Sequence, residues 1–452
     1  MSGLPPGWVE ASVSSIAESL IDGPFGSNLK TEHYQPSGAR VIRLQNIADG
    51  QFDDRDKAYI SLARFDHLRR HEARSGDVLI AALGEMLPRV CLVPADMGPA
   101  IVKADCFRLR PHQGISAKYV AYILSAPQIR KRASTEIAGV GRPRLNLRKM
   151  SALAIPIPPS TEQIRIVAAI EEQFSRLDAG VAALERVRQN LKLMRTAIFA
   201  AAVNGTLVVA DQSKWMTRRL SDIAVIASGQ TPRGLELAES GPIPFYKVGD
   251  MNAVTGKFMA ASRGYVDMPT ARQFGLHIRP AGTVIFPKRG GAIATNKKRI
   301  IREPAAYDLN TMGLVPGSSL DPRFLYLWIG SINLSRLADG SNVPQINHGD
   351  LADLELLVPP PQDQERIVAV ADTALSLIDS MEAALNHAET RGSRLRSSIL
   401  AAAFSGNLVN QEPTDEPASD LLQRIAANRT ASNGHRTTRS RNSRVSRERV
   451  TA

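Results

Sequence analysis

Cysteine is nearly absent from the chain: Cys91 and Cys106 are the only two in 452 residues. That excludes a disulfide framework and leaves too few thiols for a thiolate-rich zinc site. No run approaches the roughly 18 to 20 apolar residues that a spanning helix needs, so no membrane association is expected. The opening MSGLPPGWVE lacks the basic-then-apolar pattern of a signal peptide. A soluble protein of a reducing, cytoplasmic compartment is the expectation. With 43% hydrophobic and 22% charged residues the chain can bury sizeable cores, and its length suggests roughly three folding units.

Catalytic signatures are also missing. There is no GxxxxGK[ST] phosphate loop and no GxGxxG opening a helix; the GVG at Gly139–Gly141 reads as a turn. The Pro-Pro pairs stand in LPPG, IPPS and VPPP, none of them an Asn/Asp-Pro-Pro-aromatic tetrapeptide of the amino-methyltransferase kind. His67 and His71 are four apart in HLRRHE, but the Glu follows the second His and arginines surround the pair. A solvated helical face is expected there, with no metal. The acidic run DDRDK at Asp53–Lys57 reads as a turn and not as a nuclease cluster.

Positive charge is in excess, +12 overall. Residues 424–452 carry eight arginines against one acid, Glu448, so this end supplies +7 and leaves +5 for everything before it. With little to bury there, 410–452 is expected to be a basic, disordered tail.

What the chain does contain is a copy of itself. Shifting by 201 aligns 145–209 with 346–410 without a gap, and 22 of those 65 positions are identical. Unrelated segments would match at roughly one position in sixteen. Solenoid units run about 20 to 50 residues, so this period describes two copies of a whole module. Pro158–Pro159 and Pro359–Pro361 block earlier helix; Ser160 with Gln163 suggests a capping box, and Asp363 a matching cap. Gly205 and Gly406 should end the helices in the left-handed conformation. Roughly 40 residues lie between, about 60 Å of helix.

Ile170, Phe174, Leu177, Val181, Leu184, Leu191 and Ile198 follow the four-three spacing of a coiled-coil seam, with Arg188 and Arg195 filling the gaps. The second copy offers Ala371, Leu375, Ile378, Leu385 and Ile399, interrupted by Glu382, Glu389, Gly392 and Arg396. A second stripe, Leu377, Met381 and Ala384, suggests that this helix faces more than one neighbour. Two such helices most simply pack on each other, and antiparallel folding would relate the repeats by a pseudo-twofold axis.

Ahead of each helix the copies diverge. WVEASVSSIA echoes WMTRRLSDIA, ARVIRLQNIADGQF echoes IPFYKVGDMNAVTGKF, and SGDVLIAALG echoes AGTVIFPKRG. Short β-branched runs between turn residues give α+β domains whose loops differ. The boundaries read as 1–157 and 209–357 for the two domains, 158–208 and 358–409 for the helices. Several loops gather side chains able to pair with base edges or phosphates. These are Lys30 in DGPFGSNLK; Arg43, Gln45 and Asn46 in RLQN; and Arg142 and Arg144 in GVGRPRLN. The second domain offers Lys247, then Lys288, Arg289, Asn296, Lys297 and Lys298 in FPKRGGAIATNKKR.

LPPGW, DGPFGSNLK, the paired starts PIPPSTEQIRIVAAI and VPPPQDQERIVAV, and the paired ends AIFAAAVNGTLV and SILAAAFSGNLV together resemble the specificity subunit of a type I restriction–modification system. The resemblance covers about residues 4–410. It implies two target recognition domains, each reading one half of a split double-stranded DNA site, and two long antiparallel coiled-coil helices acting as a ruler. It also implies methyltransferase subunits docked on those helices and motor-nuclease subunits joining them. The chain itself would carry no catalytic residue, metal or cofactor; S-adenosylmethionine, ATP and magnesium would belong to the partners. The rival reading is a structural or regulatory coiled-coil protein that holds DNA non-specifically through its basic tail.

Overall fold

The computed structural model describes residues 3–135, 143–254 and 256–430. The two PP-initiated segments form continuous helices, α1 (Ser160–Val203) and α2 (Pro361–Ala403). Contacts divide the chain within these helices. Unit 1 takes the chain up to Val181 and from Thr390 on, and unit 2 is Ala182–Glu389.

The units are built alike. In unit 1, Val9–Ser12 pairs antiparallel with Ala154–Ile157, the strand leading into α1. A four-stranded antiparallel sheet runs Ala17–Asp22, Cys106–Pro111, Val78–Ala81, Arg89–Leu92. In unit 2, Met216–Arg219 pairs with Glu355–Val358. The matching sheet runs Ala224–Ser228, Thr311–Pro316, Val284–Pro287, Arg299–Ile300. Each unit adds a second sheet around one parallel pair, Ala39–Ile42 with Ala100–Val102, and Ile243–Tyr246 with Ala306–Tyr307. That sheet has five strands in unit 1 and three in unit 2, so the variable loops have diverged on a common α+β frame.

The first turns of each long helix belong to the core of the unit they enter. Ile166, Val167 and Ile170 are buried in unit 1, and their repeat counterparts Ile367, Val368 and Ala371 in unit 2. The opposite helix ends complete these cores: Leu400, Ala403 and Phe404 in unit 1, Phe199 and Ala202 in unit 2. The capping box expected of Ser160 and Gln163 does not form. The Ser160 hydroxyl donates to Gly114 O. Gln163, fully buried, accepts from Ser116 N (2.9 Å) and donates to Pro158 O (3.1 Å). Gln364 does the same with Asp321 N (2.7 Å) and Pro359 O (2.8 Å). Tying a neighbouring helix start to the Pro-Pro corner satisfies buried backbone groups that have no other partner, which outweighs a local cap. Asp363 likewise accepts the indole N–H of Trp215 (3.2 Å), as Glu162 accepts that of Trp8 (3.0 Å).

Within each unit the helix segments run antiparallel, and the charged residues that interrupt the seams are partners across it. Arg195 pairs with Asp379 (2.6 Å) and Glu382 (3.2 Å), and Arg188 with Glu389 (2.7 Å), its own repeat counterpart. In unit 1, Arg396 pairs with Asp178 and lies over the Phe174 ring. Leu184, Leu191 and Ile198 meet Ile378 and Leu385; Leu375 joins the core of unit 2; Phe174 and Ile399 pack on that of unit 1; Leu177 is half-buried. Val181 departs from the expected seam and is exposed, lying on α1 between Asp178 and Arg188, whose contacts across the helix pair are polar.

Both helices end at glycines with positive φ, +71° at Gly205 and +77° at Gly406. Gly392 and Gly180 lie inside the helices, and a methyl group at either position would meet open space. Gly392→Ala and Gly180→Ala should therefore each stabilise the protein by about 1 kcal/mol, read as a raised urea midpoint.

The expectation of a disordered tail from residue 410 is corrected as far as 430. Residues 418–430 are helical, and Ala418, Leu421 and Ile425 are buried in the core of unit 1. Asp415 pairs with Arg165 (2.6 Å) in the first turns of α1, Ala418 N donates to Gly7 O (2.9 Å), and Arg429 donates to Ser14 O (2.7 Å). The three- and four-residue spacing of those apolar side chains makes one helical face, which arginine content alone conceals. The remainder of the predicted tail, 431–452, lies outside the described residues.

Candidate nucleic-acid interface

In each unit the segment ahead of the long helix meets the turn after one strand of the four-stranded sheet, in unit 1 the turn after Val78–Ala81. Gly84 N donates to Pro143 O (3.3 Å) and Leu145 N to Ala82 O (2.9 Å), placing Leu83 opposite Arg144. Arg144 is exposed, pairs with Asp105 (2.7 Å) and stacks over Phe25 of the DGPFGSNLK loop at 5.7 Å. Asp105 holds a left-handed backbone (φ 66°), its N–H given to the Asp22 carboxylate (3.2 Å). Burial raises the Asp22 carboxyl to about 6, against hydrogen bonds that favour its charged form. Arg89, which the sequence reading missed, donates to Leu44 O (3.4 Å) and packs beside Gly84, joining the RLQN loop to this corner. No sequence motif marks Arg89; its role depends on strands distant in the chain.

The other predicted residues of unit 1 differ in what they have left to offer. Lys30 is exposed beside Glu32 (3.6 Å). Arg43 and Gln45 both reach Asp56. Asn46 is corrected: it is fully buried, accepts Arg43 N (2.9 Å) and donates to Asp53 O (2.8 Å) and Asp56 O (2.7 Å). Its amide shapes the loop and has no face for a base. Asp250 takes the corresponding turn in unit 2, accepting Lys247 N (2.8 Å), while Lys247 itself is exposed. Arg142 lies outside the described residues.

In unit 2, Gly290 N donates to Pro344 O (2.7 Å) and Ile346 N to Lys288 O (2.9 Å), setting Arg289 opposite Gln345. Arg289 is exposed. Lys288 donates to the Ser228 hydroxyl (2.9 Å), and burial lowers its ammonium below the ordinary lysine range. Lys297 is half-buried and donates to the Asn252 side chain (2.6 Å). Asn296, left-handed at φ 53°, accepts Leu334 N (2.9 Å) and the Lys298 ammonium (2.8 Å).

Lys298 also departs from the expected contact with DNA. It is buried, donates also to Ile332 O (2.8 Å), and cannot reach a phosphate. Burial drives it down to about 7, far below an unfolded lysine. The unfolded chain then binds the extra proton between about pH 7 and the ordinary lysine range, so stability rises with pH across that window and is level below it. Urea unfolding should show a positive slope of at most about 1.4 kcal/mol per pH unit above pH 7, and Lys298→Met should remove it.

His71 also departs from its expected solvated face. It is buried, with Nδ1 on Asp22 O (2.7 Å) and Nε2 accepting from Arg70 (2.8 Å). Among the described residues no group of three or more His, Cys, Asp or Glu is placed to hold a metal ion, and no helix is long and apolar enough to cross a membrane.

The fold and this corner define a duplicated α+β scaffold on paired helices, with cationic and amide side chains on its variable loops. The family model described as "Type I restriction modification DNA specificity domain" matches twice, over residues 53–191 and 212–390, more than half of the chain. The chain belongs to this family. It is 25% identical to the type I restriction enzyme StySPI specificity subunit of Salmonella potsdam, over 96% of this chain and 98% of that one. With the EcoKI specificity subunit of Escherichia coli strain K12 it shares 23% identity over 96% and 98%. A solved chain from work on the assembly and conformational transition of the type I R-M system shares its fold, with a TM-score of 0.72 at 19% identity, covering 90% of this chain and all of that one. The HsdS subunit from Thermoanaerobacter tengcongensis gives a TM-score of 0.51 at 20% identity, over 89% and 98%. These likenesses run along both repeats and lend no support to the rival reading of a coiled-coil protein with a DNA-binding tail.

Proposed function

We propose that this chain is the DNA sequence-specificity subunit of a type I restriction–modification complex, each recognition domain reading one half of a bipartite site. The observation that carries this is the duplicated specificity domain with its two long helices, matched over nearly the whole length of named specificity subunits. Chemistry then falls to partners: methyltransferase subunits using S-adenosylmethionine, and motor-nuclease subunits using ATP and magnesium. Leu377, Met381 and Ala384, exposed along one face of α2, suit the methyltransferase contact, since apolar side chains in a stripe gain most from being covered.

Combining the purified chain with the methyltransferase of its own system should yield a complex that methylates adenine within a split sequence. Failure to associate with it would reject the reading. The helices are expected to set the spacer between half-sites. A matched double deletion, 185–191 with 386–392, is chosen to keep Arg195 opposite Glu382 in unit 2 and Arg396 opposite Asp178 in unit 1. That double deletion removes about 10 Å of helix, or about three base pairs at 3.4 Å each. Methylome sequencing should show a shorter spacer and unchanged half-sites; altered half-sites would contradict the ruler.

A further inference from the structure

The bridges Leu83–Arg144 and Arg289–Gln345 are the same element in two copies. Both are closed by two backbone bonds, from Gly84 N and Leu145 N in unit 1 and from Gly290 N and Ile346 N in unit 2. Residues 144 and 345 differ by the 201-residue repeat, and 83 and 289 are aligned by SGDVLIAALG and AGTVIFPKRG. In each case the flanking residues exchange the bonds, so the facing pair is of the non-hydrogen-bonded kind. In such a pair the two side chains stand close together on one face of the ribbon.

We propose that this ribbon face is the base-reading element of each recognition domain. Leu83 with Arg144 would set one base preference in unit 1, and Arg289 with Gln345 another in unit 2. The inference rests on the DNA-reading function proposed above and adds which residues discriminate. A two-stranded ribbon fits the major groove, where Arg pairs bidentately with guanine, Gln with adenine, and an apolar side chain contacts the thymine methyl. The surroundings support selective reading over simple charge attraction. Arg144 is oriented by Asp105 and the Phe25 ring, which limits the directions its fork can take. The corresponding support in unit 2 differs: Asn310 O accepts Lys288 N as Asp105 O accepts Ala82 N, Ser228 binds the Lys288 ammonium, the Asp339 carboxylate accepts Gln345 N (2.9 Å), and the Gln345 amide donates one N–H to Asn347 Oδ1 (2.7 Å). The two copies thus keep the ribbon and change its chemistry, as two readers of different half-sites require.

The test uses the full chain co-expressed with the methyltransferase subunit of its own system, with adenine methylation mapped across genomic DNA. Arg144→Gln should relax or change one base pair of one half-site by about tenfold or more in methylation preference, with the other half-site intact. Arg289→Leu with Gln345→Arg should do so in the other half-site. Arg144→Lys keeps the charge but not the fork; should Arg144→Gln fail to fold, this variant is expected to show the same relaxed position. An unchanged motif with uniformly weaker methylation would make these phosphate contacts and overturn the proposal, as would changes in both half-sites from one variant. A wild-type complex that methylates no split sequence would instead overturn the underlying function.

Discussion

Replacing Leu421 and Ile425 together by alanine should cost about 4 kcal/mol or more, in a stretch whose composition reads as tail. Each is a large-to-small change in a packed core, where the expected loss is roughly 2 to 5 kcal/mol. Both side chains are buried with Ala418 among residues of unit 1, and Leu421 closes on Gly114. The ceiling is set by undocking. Once the segment detaches, the Arg165–Asp415 pair and the bond from Ala418 N to Gly7 O are lost with it, and further truncation costs nothing more. Hydrogen exchange localises the effect: amides of Ala117–Ser125 should lose protection while those of Pro322–Ser331, in unit 2, keep theirs. Unchanged protection in unit 1 would mean that the segment only decorates the surface.

Gln364→Leu should have the next largest effect, through backbone groups and not through packing. The side-chain amide is almost completely buried and serves three partners: Asp321 N, Ser319 O (2.9 Å) and Pro359 O. Leucine fills the space but leaves all three unpaired, and each buried orphan costs roughly 1 to 3 kcal/mol. A loss of roughly 3 to 9 kcal/mol follows, felt in unit 2. Gln163→Leu strips only Ser116 N and Pro158 O, so roughly 2 to 6 kcal/mol is expected, felt in unit 1. Urea unfolding gives the magnitudes. Equal and small losses at both positions would show that water replaces the glutamine.

The ordering of these effects shows where a reading of residues succeeds. Gly205 and Gly406 were legible because a left-handed helix end is a local event, and the long helices because periodicity is carried within a single segment. Arg188, Arg195, Glu382, Glu389 and Arg396 looked like defects in two separate seams. They become partners only when the helices run antiparallel, as Arg195 with Asp379 and Glu382 in unit 2 and Arg396 with Asp178 in unit 1. The candidate interface shows the same divide. Composition picked out Arg144 and Arg289 as cations in variable loops, but it also picked out Asn46 and Lys298. Their hydrogen bonds within the fold use the groups that would have met DNA.

Order along the chain thus established the duplication, the two helices, their ends and the family, because each is written in neighbouring residues or in the comparison of one stretch with another. Which side chains remain available, that 418–430 docks on the first unit, and that Leu83 faces Arg144 as Arg289 faces Gln345 were settled only on folding. Those facts depend on backbone hydrogen bonds and burial between segments some 60 to 400 residues apart, and no local preference encodes the closing of such distances.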